Sequence, residues 1–127
     1  MRHLTKLLTL AAAGLLTGCT GTLTNLSPNY QVRRPDGLYP VSVAFDSRQQ
    51  SLRWDSIKPY VLVGNNEYPL RPTPMMTNRW EGLIPAGPGV TQVDYRYKLE
   101  WQYNAIPDPQ NDSQLSKKQL LHIVDQQ

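Results

Sequence analysis

Val93-Asp-Tyr-Arg-Tyr-Lys-Leu-Glu-Trp-Gln-Tyr103 alternates without a break. Its odd positions are Val, Tyr, Tyr, Leu, Trp and Tyr, and its even positions are Asp, Arg, Lys, Glu and Gln. A period of two over eleven residues puts an apolar, largely aromatic row on one face of a strand and every charge on the other. A helix would scatter both sets around its axis. One dry and one wet face is the signature of an antiparallel sheet rather than of a parallel sheet covered on both sides.

Working outward, the same pattern recurs in weaker form. Leu38–Phe45 alternates at Tyr39, Val41, Val43 and Phe45, with Pro40 marking a strand start or an edge. The β-branched run Ile57–Val63 stops at Gly64-Asn65-Asn66, a hairpin-type turn into Glu67–Leu70. Trp80–Ile84 precedes Pro85-Ala-Gly-Pro-Gly89, and Gln119–Val124 forms a last strand. Leu23–Leu26 adds a short first strand at most, and Arg48–Ser56 is the one stretch suited to a helical turn. About seven short strands with turn punctuation predict an all-β, immunoglobulin-like antiparallel β-sandwich.

The amino-terminal region has a different logic. Arg2 and Lys6 precede the apolar run Leu7–Leu16, the layout of a secretory signal peptide. A run of about ten residues is short against the roughly 20 that a helix needs to cross the hydrocarbon core. It ends in Leu16-Thr17-Gly18-Cys19, which resembles a bacterial lipobox. The resemblance implies attachment of a diacylglycerol to Cys19 and cleavage after Gly18. Leu16 would fill an apolar subsite of the peptidase, and the small Thr17 and Gly18 would let the backbone approach its active site. It also implies a lipid-anchored protein of the cell envelope; Thr20 after the cysteine, rather than aspartate, fits export to the outer membrane of a diderm cell. The expected organisation is residues 1–18 as signal peptide, 19–35 as lipidated cysteine and tether, and 36–127 as the sandwich.

Length and charge bound the rest. A chain of 127 residues allows one domain. The single cysteine excludes a disulfide scaffold. The formal charge of +3 reflects 13 basic against 10 acidic residues, and removing Arg2 and Lys6 with the signal leaves 11 against 10. With no run of five like charges, nothing tracks a phosphate backbone, so no nucleic-acid partner is expected.

Trp80-Glu-Gly-Leu-Ile-Pro-Ala-Gly87, Val93-Asp-Tyr-Arg-Tyr-Lys98 and Pro107-Asp-Pro-Gln-Asn111 together resemble the back half of the early-set immunoglobulin-like domains related to starch- and glycogen-binding modules. The match covers about 45 residues and implies the same sandwich, with a glycan as ligand. Where those modules carry a Gly-Trp platform, this chain continues Leu99-Glu-Trp-Gln-Tyr103, its tryptophan in phase with the apolar row.

Catalytic groups are sparse. His3 leaves with the signal, and His122 stands between Leu121 and Ile123. Cys19 is consumed by lipid, so no Cys/His metal cluster or thiol nucleophile remains. Glu67, Glu81, Asp94, Glu100 and Asp108 are too scattered to promise the paired carboxylates of a glycosidase. Asp108 and Asp112 could offer oxygens to calcium but read first as turn residues. The expectation is therefore no cofactor, no metal and no enzyme activity. Binding is the expected work, to a protein partner in the envelope or, as the alternative, to a glycan. Trp54 and Trp80 are the candidate stacking surfaces for sugar. Tyr60, Tyr68, Met75, Met76 and Arg79 surround the Pro-rich segment Arg71–Arg79, where flexible methionines beside arginines suit a partner.

Overall fold

A computed structural model describes residues 21–126. Ten strands lie among them: β1 (Gly21–Asn25), β2 (Tyr30–Val32), β3 (Leu38–Ser47), β4 (Lys58–Val63), β5 (Asn66–Pro69), β6 (Arg71–Pro72), β7 (Arg79–Pro85), β8 (Gln92–Tyr103), β9 (Gln110–Leu115) and β10 (Gln119–Val124). A single 3-10 turn, Trp54–Ser56, occupies the expected helical stretch. One sheet has the order β1-β3-β7-β6; the other has β2-β10-β8-β4-β5, with β9 also on β8. These are the A-B-E-D and G-F-C-C′ layouts of an immunoglobulin-like sandwich.

The decisive stretch behaves as its period requires. Val93, Tyr95, Tyr97, Leu99 and Trp101 of β8 are buried, and the charges between them face outward. Tyr39, Val41, Val43 and Phe45 of β3 supply the opposing layer. Antibody domains join these two strands by a disulfide; here the Phe45 and Trp101 rings meet across the sheets at 5.3 Å. The β4–β5 hairpin turns on Gly64 (φ +59°) and Asn65, with positive φ at the first loop position only, the II′ pattern. Pro40 sits inside β3 without losing a ladder bond. Its carbonyl accepts from Gln31 Nε2 at 3.0 Å on the side that β1 leaves open, and a proline nitrogen there has nothing to donate to.

Two expectations are corrected. The segment 19–35 was expected as tether, but from Gly21 onward it is largely sheet. β1 pairs antiparallel with β3, and the chain then crosses to the other sheet, where β2 lies parallel to β10. The crossing is held by a polar cluster. The Tyr97 hydroxyl lies 2.7 Å from Asn25 Oδ1, 3.0 Å from the Ser42 carbonyl oxygen and 3.1 Å from Ser27 Oγ, and Asn25 Nδ2 donates to the Tyr95 hydroxyl at 3.0 Å. The expected loop around Asp112 is instead β9, whose residues pair with Lys98–Tyr103. No side chain of β9 is buried, so only backbone pairing to β8 makes it a strand, and periodicity could not reveal it. β9 and β10 are interrupted at buried Ser116, whose Oγ accepts from the Tyr97 amide at 2.9 Å.

Candidate functional site

Three surfaces are available, and the strand directions decide which residues share each. At one end lie the start of β1 and the end of β3, paired through Gly21 and Ser47. The β3–β4 loop stays at this end, because Leu52 bridges to Tyr103 and the Arg53 amide donates to the Gln102 carbonyl at 2.9 Å. The β6–β7 loop joins it through the Phe45 amide, which donates to the Asn78 carbonyl at 3.0 Å. The β8–β9 loop belongs here too, since Tyr103 pairs with Gln110.

This loop end gathers Trp54, Met75, Met76 and Arg79 from the expected contact residues. Trp54 is 42% exposed, its ring leaning on Phe45 at 6.0 Å between centroids. Met75 is fully exposed at 101%, on a backbone with φ +65°. The structure adds Ile106, 99% exposed, which the sequence reading passed over. A lone isoleucine in a Pro- and Asp-rich turn was the signal that could have found it.

The other expected residues lie elsewhere. Trp80 is 5% exposed and belongs to the core, so its ring face is not free to stack on a ligand, which corrects its candidacy. Tyr68 also packs against the core. Tyr60 stands on the outer face of the six-stranded sheet, with Lys98 Nζ 5.1 Å above its ring. Lys98 hydrogen-bonds Glu67 and lies 3.6 Å from Glu100. That hydrogen bond is the main cause holding the lysine above its usual pKa. On the same face His122 stacks on exposed Tyr30 at 4.6 Å and 16°.

The carboxylates of this face pair with lysines rather than with one another: Glu67 and Glu100 with Lys98, and Asp94 with Lys118 at 3.8 Å. A two-carboxylate hydrolytic site would need the opposite arrangement. Among the described residues no group of three His, Cys, Asp or Glu side chains is placed to hold a metal ion. Asp112 Oδ1 accepts from the Ser113 amide at 2.8 Å, an ordinary local contact.

The third surface is a broad cleft of about 830 Å³ at the opposite end, between residues 33–39, the 85–88 turn and Asp125. Arg33 is fixed there, donating to Asp125 Oδ1 at 2.6 Å and to the Val90 carbonyl at 3.0 Å. Arg34 stays half-free, 3.5 Å from Asp36. The volume is in the ligand range, but an open cleft would enclose little of a small molecule, and it suits a loop or peptide of a larger partner better. The lipobox residues Leu16, Thr17, Gly18 and Cys19 lie outside the described residues.

No protein-family model matches the chain, and no curated protein sequence matches it. Among solved structures, murine CRIg is similar, with a TM-score of 0.41 and 12% identity over 84% of this chain and 99% of that chain.

Proposed function

We propose that this protein is a non-enzymatic lipoprotein of the cell envelope, tied to the membrane through Cys19, whose immunoglobulin-like sandwich engages a protein partner at the membrane surface. The observation that carries the reading is the join between motif and fold: Leu16-Thr17-Gly18-Cys19 ends two residues before β1 begins at Gly21. Processing after Gly18 would therefore leave the whole sandwich intact. Two or more acyl chains would make the attachment effectively permanent, whereas one anchors only marginally. The pairing of carboxylates with lysines supports a non-enzymatic role. The open cleft of residues 33–39 and 85–88 lies at the end away from Gly21, free to meet a partner.

The test is Cys19→Ser in the native host. The substitution is expected to abolish the acyl mass on the mature protein and to release it from the membrane fraction; if neither changes, the anchor reading fails. Exposed Trp54 favours glycan binding as a second reading, and retardation in gels containing α-glucan or peptidoglycan fragments would support it. Migration unchanged across a broad glycan panel would retire it.

A further inference from the structure

Two apolar side chains stand out from every other described one by nearly complete exposure, Met75 at 101% and Ile106 at 99%. They belong to loops more than twenty-five residues apart in the chain, yet both lie at the end of the sandwich that holds Gly21. Trp54, on the third loop of that end, is 42% exposed. Water gains nothing from apolar tips presented together in this way.

We propose that this loop end is a lipid-docking surface, with Trp54, Met75 and Ile106 entering the headgroup layer of the bilayer that carries the anchor. The proposal rests on the lipid-anchor reading of Cys19. Chain reach makes the argument quantitative. Only Thr20 separates Cys19 from Gly21, and two residues span at most about 7 Å. The headgroup layer of one leaflet is roughly 5–8 Å deep, from the difference between hydrocarbon and full bilayer thickness. With its acyl chains in hydrocarbon, Cys19 sits at the inner boundary of that layer, and Gly21 is held within it or at its outer edge. β1 is hydrogen-bonded to β3, so the end of the body nearest Gly21 is held there as well.

The chemistry of the three side chains fits that layer. Tryptophan, with an apolar body and a polar edge, concentrates at membrane interfaces. The loops carry Arg48 and Arg53 against Asp55 and Asp108, so charge does not drive the contact and anionic lipid is not required. The loops are also braced: the Asn104 amide donates to the Ser51 carbonyl at 2.8 Å, and Asn78 Nδ2 to Asp46 Oδ1 at 3.4 Å. Ordering them at the bilayer therefore costs little entropy.

The experiment uses the full lipidated protein reconstituted in neutral phosphatidylcholine vesicles, with and without brominated acyl chains. Trp80 and Trp101 are 5% and 2% exposed, so quenching reads Trp54. The native protein is expected to lose most of its Trp54 emission in brominated vesicles, and added anionic lipid is expected to leave the loss unchanged. Met75→Asn with Ile106→Asn should keep the Cys19 acyl mass and the vesicle association yet recover most of that emission. Asparagine tolerates the positive φ at 75, and both side chains point into solvent, so the fold is expected to survive. Leu83→Asn, on a strand away from the loops, is the control that should change nothing. Acylated, vesicle-bound protein with unquenched Trp54 overturns the docking surface and leaves the anchor standing, as does quenching that persists undiminished in the double variant. Protein without acyl mass on Cys19 overturns the anchor reading and the inference with it.

Discussion

Tyr97→Phe removes one oxygen from the point where the chain changes sheets, and its effect can be worked from the contacts. The hydroxyl donates to Asn25 Oδ1 at 2.7 Å or to the Ser42 carbonyl at 3.0 Å, and it can accept from Ser27 Oγ at 3.1 Å. Neither acceptor is orphaned by its loss. Asn25 Oδ1 still accepts from the Ser27 amide at 3.1 Å, and the Ser42 carbonyl from the Leu26 amide at 2.9 Å. The cost is therefore that of a made hydrogen bond with partial rescue, about 1–2 kcal/mol, and not the sum of several stranded groups. With a urea m-value of roughly 1–3 kcal/mol/M for a domain of this size, the unfolding midpoint should fall by about 0.3–2 M with m unchanged. The assay is urea unfolding followed by tryptophan emission, with amide exchange to locate the damage in β1 and the β1–β2 crossing. Coupling with Asn25→Ala in a double-mutant cycle isolates the pair. A midpoint indistinguishable from the parent protein, or exchange that quickens everywhere but β1, would refute the claim that this cluster pins the crossing.

Two further outcomes are expected. Burial raises the Tyr97 pKa in the folded protein, so the unfolded chain loses this proton first as pH passes about 10. The contribution is complete below that pH and is lost above it; urea midpoints taken on both sides should fall more steeply in the parent than in Tyr97→Phe, with the remaining alkaline loss carried in part by Lys98. Gly21→Ala would place a Cβ 2.5 Å from Phe45 Cε1 and 2.7 Å from the Asp46 carbonyl oxygen, the latter backbone that cannot swing aside. It is expected to cost about 1–3 kcal/mol or to peel β1 from β3, seen as lost amide protection at Leu23; unchanged protection and stability would count against that tight approach.

Much of the sandwich was legible because burying one face of a strand leaves a local trace. Val93–Tyr103, Leu38–Phe45, Ile57–Val63 and Trp80–Ile84 announce themselves by alternation or β-branching, and each is a strand in place. β9 left no trace because its side chains stay out of the core and its backbone alone pairs with β8. β1 was faint, since only Leu23 in Gly21–Asn25 is a large apolar residue. The contact residues fared unevenly. Of the two candidate stacking tryptophans, Trp54 is half-exposed, while Trp80 lies on the inner face of β7. A tryptophan does not report which face it takes unless its neighbours alternate cleanly, and in Arg79-Trp-Glu-Gly-Leu they do so only briefly.

The sequence by itself determined the all-β class, the aromatic core and the motif ending at Cys19, because period, composition and a short motif are properties of neighbours along the chain. The tertiary structure alone decided that β2 runs parallel to β10. It alone carried the sheet to within two residues of Cys19 and set Met75, Ile106 and Trp54 at one end. Those outcomes depend on which distant strands close against each other and in which direction, and the free energy that selects them comes from packing two sheets face to face, a quantity no single segment contains.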